Sequence, residues 1–146
     1  MESYTERNDY DRSKLIKAAL EVLPRSYAPY SHFNVGAAVL MDNGEMYTGV
    51  NIENAAYSAT ICAERTAIFK AIAADKNAKI VALAVVGGKD YTVTDYCVPC
   101  GICRQVMREF AEPDHMQVIV AKSVTDYKAM SLAELLPMSF GPNMLG

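Results

Sequence analysis

Apolar residues recur every three or four positions in three segments of the chain, which is the spacing of one buried helix face. In the first segment Leu15, Ile16 and Ala19 share a face, and Pro24 blocks its continuation. Thr60 is expected to be the N-cap of the second helix, because its hydroxyl can accept a hydrogen bond from a free backbone N–H group. The three predicted helices cover residues 11–23, 61–74 and 99–110.

Four other segments are rich in β-branched and apolar residues and predict strands. Residues 33–41 and 46–53 flank the turn sequence D-N-G at 42–44, so they are expected to pair as an antiparallel hairpin. Residues 80–86 are wholly apolar between lysines, which indicates a central strand covered on both faces. Residues 116–121 form the last predicted strand.

The order of these elements predicts an α/β fold, a three-layer α/β/α sandwich around a mixed sheet of roughly five strands. A short final helix is expected from Ser131 to Glu134, where an N-cap serine precedes a glutamate at the third helical position, and Pro137 ends it. With 146 residues, 51% of them hydrophobic, the chain is expected to fold as one domain, 1–146, without disulfide bonds.

Charge and hydropathy argue against two classes of partner. The chain carries 14 Lys and Arg against 17 Asp and Glu, a net charge of −3, whereas nucleic-acid binding depends on clustered basic residues. The longest stretch without a charged residue, 26–41, is shorter than the ~20 apolar residues that a membrane span needs. We therefore expect a small-molecule ligand, no nucleic acid and no membrane association. Because charged residues stand where a secretory peptide would be apolar, a cytoplasmic location is expected.

The placement of the four cysteines points to metal or thiol chemistry rather than to disulfide bonds. Cys97, Cys100 and Cys103 fall within seven residues, and Cys62 lies 35 residues before Cys97. Cys100 and Cys103 are one helical turn apart at the start of a predicted helix, and Cys62 lies near the start of another. Helix N-termini stabilise the thiolates that zinc binds. Three thiolates leave the fourth tetrahedral position open, as in catalytic rather than structural zinc sites.

Cys97 leaves two other interpretations open. Pro99 disfavours helical structure at Val98, so Cys97 is expected to precede the helix and to point away from the other thiols. If Cys97 instead supplied a fourth thiolate, the site would be closed and the chain would be a non-catalytic structural zinc protein. The C-x-x-C spacing would also permit a thiol redox module.

The residues around these cysteines resemble the signature of the zinc deaminases, and the similarity extends over most of the chain. It is carried by A-P-Y-S-H-F-N-V-G-A-A at 28–38, N-I-E-N-A-A-Y at 51–57, C-A-E-R at 62–65, P-C-G-I-C-R-Q at 99–105 and L-L-P-M-S-F-G-P at 135–142. On these motifs the chain is identified as a member of the small, homotetrameric, zinc-dependent cytidine deaminases.

This resemblance implies one Zn²⁺ per chain, with Cys62, Cys100 and Cys103 as its ligands. It also implies that Glu64 exchanges protons with the reacting groups without binding the metal. In a regular helix Cys62 and Glu64 point to nearly opposite sides, so the site has to lie over the end of the helix. Arg65 is one turn after Cys62 and is expected to offset the negative charge that three thiolates leave on the zinc centre.

Asn51 and Glu53 are two positions apart on a predicted strand, so their side chains share a face and could both bind one ribose hydroxyl. The resemblance implies that this pair binds the sugar. It also implies that Phe33 packs against the nucleoside and that the backbone of Ala63 helps to hold the base. Gln105, at the end of the second cysteine motif, is expected beside the zinc ligands.

Tyr57 and Phe140 match positions at which family members place aromatic groups around the pocket, partly from neighbouring subunits. The resemblance therefore implies a homotetramer whose active sites lie near the subunit interfaces.

The expected activity is hydrolytic deamination of free cytidine and 2'-deoxycytidine to uridine and 2'-deoxyuridine, which would serve pyrimidine salvage. A blasticidin-type deaminase, or another small-molecule aminohydrolase of this fold, is the alternative, because it shares C-A-E and P-C-G-x-C. The segment N-I-E-N-A-A-Y and the arginine after the catalytic glutamate favour the nucleoside enzyme.

Overall fold

The structure is a computed structural model that describes residues 10–146. Its strands are β1 (Phe33–Met41), β2 (Met46–Val50), β3 (Ile80–Lys89), β4 (Gln117–Ala121) and β5 (Tyr127–Ser131). Its α-helices are α1 (Arg12–Val22), α2 (Ala63–Ala74), α3 (Gly101–Glu109) and α4 (Leu132–Leu135). None of the helices in residues 10–146 is long and apolar enough to cross a membrane.

The five strands form one mixed sheet in the order β2-β1-β3-β4-β5. β3 and β4 run parallel, and the other neighbouring pairs are antiparallel. β3 is buried from Ile80 to Gly88, as expected for a central strand with helices on both sides. The sheet therefore has the mixed character and the number of strands that the sequence predicts.

Alternate residues of the central strands pack against different helical layers. On one face Val39 and Leu83 lie in a core with Ile68 of α2, and α3 contributes to the same core. On the other face Ala84 packs with Ile16 of α1. This arrangement of three layers confirms the predicted α/β/α sandwich.

The N-terminal ends of α2 and α3 meet near the end of the sheet at which β1 begins and β3 finishes. Phe33, the first residue of β1, pairs with Lys89, the last residue of β3. Phe33 lines the same cavity as Ala63 at the start of α2 and Cys100 before α3. The fold thus places two helix N-termini around one cavity.

The second predicted helix begins two residues later than expected. α2 starts at Ala63, and Cys62 is its N-cap. The prediction of Thr60 as N-cap is wrong, because Ile61 is held in an extended bridge by two backbone hydrogen bonds with Ile52. The hydroxyl of Thr60 instead accepts a hydrogen bond from the backbone N–H of residue 54 at 3.1 Å.

The second strand of the hairpin is shorter than predicted. β2 ends at Val50, whereas the hydrophobic pattern extends it through Glu53. Asn51 and Glu53 therefore lie just beyond the strand, but they still line one cavity together. The elements α1, α3, β1, β3 and β4 match their predicted segments to within three residues at each end.

β5 is the strand that the hydrophobic pattern does not locate. Its residues are exposed or half-buried, so no apolar run or clean alternation marks it. α4 follows it directly and confirms the predicted short helix, with the capping box between Ser131 and Glu134.

Candidate active site

Three cysteine thiols converge at the N-terminal ends of α2 and α3. Cys62 and Cys100 are the N-cap residues of these helices, and Cys103 lies in the first turn of α3. Their sulfur atoms all lie within 4.8 Å of one another, and the Sγ atoms of Cys62 and Cys100 are 3.7 Å apart. Tetrahedral zinc with bonds of about 2.3 Å to sulfur requires sulfur atoms about 3.8 Å apart. The cluster therefore has both the donors and the spacing for a zinc ion.

The position of Cys62 explains how a ligand and a carboxylate two residues later can serve one site. Cys62 has an extended backbone, with φ −76° and ψ 155°, because it is the N-cap and lies just before the first helical residue. Its side chain therefore does not follow the helical spacing. Glu64 is in the first turn of α2, and its side chain is only 4% exposed. Both residues line the same cavity. The site thus lies over the end of α2, as the sequence requires.

Arg65 places a positive charge next to the sulfur atom of Cys62. Its Nη2 atom donates a hydrogen bond to the Sγ atom of Cys62 at 3.3 Å. A hydrogen bond from Cys103 and the guanidinium of Arg65 lower the pKa of Cys62. Cys62 is thereby held as the thiolate that a metal ion needs.

The carboxyl group of Glu64 lies in a dry environment. Burial raises the pKa of Glu64 to about 7, because the charged form loses its hydration. A carboxyl group with a pKa near neutrality can both accept and release a proton under physiological conditions.

The cavity beside the thiols has a volume of about 280 Å³, and we refer to it as the pocket. It is lined by Phe33, Asn51, Glu53 and Ala63 together with Cys62, Glu64 and Cys100. A neighbouring hollow of about 380 Å³ shares Ser31, Glu53 and Thr60 with it and opens towards Tyr57. The structure therefore gathers four of the six predicted substrate residues around the predicted metal ligands and Glu64.

Asn51, in the wall of the pocket, is held by hydrogen bonds from several sides. Its Oδ1 atom accepts hydrogen bonds from the backbone N–H of Val35 at 3.0 Å and from the hydroxyl of Ser26. Its Nδ2 atom donates to the carbonyl oxygen of Phe33 at 2.8 Å. One N–H of the amide is left to interact with a ligand.

Glu53 is fixed by the loop that precedes β1. Its Oε1 atom accepts hydrogen bonds from the backbone N–H groups of Tyr30 and Ser31, at 2.9 and 3.1 Å. Its Oε2 atom accepts from the hydroxyl of Ser31 at 2.5 Å. The hydrogen bond from the Ser31 hydroxyl, with those from the two backbone groups, lowers the pKa of Glu53. The sequence alone does not indicate Ser31, which lines the pocket and lies 22 positions before Glu53, its hydrogen-bond partner.

Cys97 lies apart from the thiol cluster. The metal-binding group found in residues 10–146 contains the other three cysteines and not this one. Cys97 packs over β3, where a methyl group added to Gly87 would come within 3.0 Å of its Sγ atom. Burial raises the pKa of Cys97 to about 12, so it is a neutral thiol in the wall of the pocket. The described residues thus do not form the closed four-thiolate site.

Tyr57, Phe140 and Gln105 lie outside the pocket of their own chain. Tyr57 is 76% exposed and contacts the ring of Tyr30 edge-on, with ring centroids 5.9 Å apart. Phe140 is 56% exposed. The amide of Gln105 donates a hydrogen bond to the backbone carbonyl of Phe140 at 2.9 Å. Gln105 therefore ties the C-terminal segment to α3, a contact that the sequence does not predict.

Known proteins of one family are similar to this chain in sequence and in fold. A family described as the cytidine and deoxycytidylate deaminase zinc-binding region matches residues 9–121. A cytidine deaminase of Halalkalibacterium halodurans is 45% identical over 130 residues, which cover 89% of this chain and 94% of that protein. A cytidine deaminase of Mycobacterium tuberculosis is 36% identical over 133 residues, covering 91% of this chain and 92% of the relative.

A solved structure shows the same relationship. The crystal structure of cytidine deaminase from Burkholderia pseudomallei superposes with a TM-score of 0.76 at 41% identity, covering 87% of this chain and 97% of that one. With three thiols at two helix N-termini and a buried glutamate beside them, the chain belongs to the cytidine and deoxycytidylate deaminase zinc-binding family.

Proposed function

We propose that this protein catalyses the hydrolytic deamination of free cytidine to uridine. Its zinc ligands are Cys62, Cys100 and Cys103, one ion per chain. The observation that carries the proposal is the cluster of these three thiols at the side of the pocket that the buried carboxyl of Glu64 also lines. The family and its relatives named cytidine deaminase support the same activity.

The three thiols would hold the ion and, as only three ligands, would leave one position open for water. When bound, zinc supplies Lewis acidity that makes water ionisable near neutral pH. The negative charge of three thiolates would exceed the positive charge of the zinc ion. The guanidinium of Arg65, which donates a hydrogen bond to Cys62, would offset this excess negative charge. Arg65 therefore preserves the acidity of the centre without being a ligand.

Glu64 moves the protons that the reaction requires. Its carboxylate removes a proton from water as the oxygen bonds to C4 of the cytosine ring, and it delivers that proton to ring N3. It then takes a second proton from the new C4 hydroxyl and passes it to the exocyclic nitrogen, so that the C4–N bond breaks, the C4 carbonyl of uridine forms and ammonia leaves. A pKa near 7 suits a group that must accept and donate in one turnover.

Substrate binding uses the walls of the pocket. The free N–H of Asn51 donates to a sugar hydroxyl, and a remaining lone pair of Glu53 accepts from it. Phe33 packs against the nucleoside, and the backbone at Ala63 contacts the base. We infer that 2'-deoxycytidine is accepted as well, giving 2'-deoxyuridine, and that the physiological role is pyrimidine salvage in the cytoplasm.

An ultraviolet assay with four substrates tests this proposal against its alternatives. The zinc-loaded protein is incubated separately with cytidine, 2'-deoxycytidine, blasticidin S and single-stranded DNA. We expect turnover of the two nucleosides and none of the polynucleotide. Turnover of blasticidin S without turnover of either nucleoside would replace the proposal with the blasticidin-type activity. A zinc-loaded protein that is inactive on all four would refute it.

A further inference from the structure

Three buried polar side chains form one hydrogen-bonded chain behind the pocket. Ser26, Asn34 and Asn51 are 5%, 2% and 9% exposed, and Glu64 is the other buried polar residue found in the described part of the protein. The proposed mechanism uses Glu64 and Asn51 but gives no role to Ser26 or Asn34. We refer to Asn34, Ser26 and Asn51 as the polar relay.

Each hydrogen bond of the relay has only one possible direction. The backbone N–H of Tyr91 donates to Oδ1 of Asn34 at 3.0 Å, so the Nδ2 atom of Asn34 points to Ser26 and donates to its hydroxyl at 3.0 Å. That hydroxyl in turn donates to Oδ1 of Asn51. The Nδ2 atom of Asn51 donates to the carbonyl oxygen of Phe33 at 2.8 Å. The relay thus runs without a break from Tyr91 to the wall of the pocket.

The relay leaves Asn51 with one free polar group. The hydroxyl of Ser26 and the backbone N–H of Val35 occupy both lone pairs of its Oδ1 atom. One hydrogen of its Nδ2 atom is bound to Phe33, and the other N–H can only donate. Linked hydrogen bonds polarise one another, so the relay makes this remaining N–H a stronger donor.

The far end of the relay is anchored in the turn that follows β3. Asp90 and Tyr91 have left-handed backbones, with φ 51° and 62°. The N–H of Asp90 donates to the carbonyl oxygen of His32 at 2.8 Å, and the hydroxyl of Tyr91 donates to the carbonyl oxygen of Ser26 at 3.1 Å. Left-handed residues other than glycine are strained and persist only where surrounding contacts hold them in place. The turn therefore holds this end of the relay in one conformation.

We propose that Ser26 and Asn34 are positioning residues that hold the amide of Asn51 for a sugar hydroxyl of the nucleoside. Rotating that amide would leave buried polar atoms without partners, which is costly, so the relay fixes its plane. Neither Ser26 nor Asn34 lines the pocket, and their effect therefore passes through Asn51. This inference rests on the proposed function and adds to it the origin of selectivity for the sugar.

Sugar analogues separate positioning from simple structural support. kcat/KM is measured with cytidine, 2'-deoxycytidine and 3'-deoxycytidine for the unaltered protein and for Ser26→Ala. The variant should lose roughly 3- to 10-fold in kcat/KM, mostly through KM, on nucleosides that carry the hydroxyl bound by Asn51. The deoxy analogue that lacks this hydroxyl should lose much less.

Two further variants make the test robust. Asn34→Ala interrupts the relay one hydrogen bond further from Asn51, so it should show the same selectivity among the nucleosides with a smaller loss of kcat/KM. It replaces Ser26→Ala as the test if Ser26→Ala folds poorly. Asn43→Ala is the matched control, because Asn43 is an exposed residue of the hairpin turn at the opposite end of β1. It should leave the ratios between the three nucleosides unchanged.

The outcomes distinguish this inference from the proposed function. Selective loss, with the zinc content and circular dichroism spectrum of the unaltered protein, supports the relay. Equal losses on all three nucleosides, with a lower Tm, would show a merely structural role and overturn it. If the unaltered zinc protein deaminates none of the three, the proposed function fails and the role of the relay fails with it.

Discussion

Cys62 and Glu64 are two positions apart, yet both side chains reach the pocket because α2 begins between them. The extended backbone of Cys62 presents its sulfur to the cluster, whereas the first helical turn buries the carboxyl of Glu64 and raises its pKa to about 7. Arg65, one residue further, donates to the sulfur of Cys62. In the proposed mechanism three residues of one short motif therefore bind the metal, transfer protons and balance charge.

Two cysteine substitutions, one at a proposed ligand and one outside the cluster, test the assignment of the zinc ligands. Cys100→Ser removes a proposed ligand that is exposed, so the fold should survive. Its zinc affinity should fall by more than the roughly 10- to 100-fold that results from losing a residue next to a ligand. Cys97→Ser should keep its zinc, because Cys97 lies outside the cluster. Metal analysis of both purified variants checks this, and loss of zinc from Cys97→Ser would contradict the ligand assignment.

At the scale of the elements, the start of each helix decides the geometry of the site. The apolar stripe predicts the body of α2, since Ile68 is in the core, but it does not predict where the helix begins. That boundary depends on the bridge between Ile52 and Ile61, a pairing of segments nine positions apart. β5 escapes detection because an exposed edge strand needs no apolar alternation.

Local sequence patterns also fail to predict which residues support the pocket. The spacing of Asn51 and Glu53 predicts that they act together, and both do line the pocket. Their partners Ser26 and Ser31 are 25 and 22 positions away and are reached through loops. Such contacts depend on the packing of the whole fold, so no local pattern in the sequence indicates them.

Two glycines test the packing of α1 against the sheet. A methyl group added at Gly36 in β1 would lie 2.3 Å from the carbonyl oxygen of Ala19, whereas one added at Gly101 meets nothing within 4 Å. Gly36→Ala should therefore lower the free energy of unfolding by roughly 1–3 kcal/mol. Gly101→Ala should leave it unchanged or raise it, because alanine favours helix. Denaturant unfolding measures both, and equal stability of the two variants would contradict the close contact of α1 with β1.

At the scale of the whole molecule, the single chain leaves exposed two aromatic side chains that the resemblance assigns to the pocket. Tyr57 and Phe140 are 76% and 56% exposed, and Phe140 does not reach the pocket of its own chain. Exposed aromatic groups of this kind are typical of subunit interfaces. This exposure supports contacts between chains, and because the resemblance to the small cytidine deaminases implies a homotetramer, we propose that four chains assemble and that neighbouring chains complete each pocket.

Sedimentation equilibrium tests the proposed assembly. The active zinc protein should have a mass close to four times the 16.0 kDa of the chain. Phe140→Ala should weaken assembly or lower kcat/KM, because it removes an aromatic group from the proposed interface. A fully active species of 16.0 kDa would contradict the tetramer but not the proposed chemistry.

The most direct measurement is the rate of cytidine deamination by Glu64→Gln, with bound zinc determined in the same preparation. Glutamine keeps the size of the side chain but cannot carry a proton, so the variant should retain about one zinc ion per chain and lose roughly 10²- to 10⁴-fold in kcat. Glu45→Gln, in the exposed hairpin turn, is the matched control and should retain full activity. A Glu64→Gln protein that binds zinc and turns over cytidine at the unaltered rate would contradict the role of Glu64 as the group that moves protons.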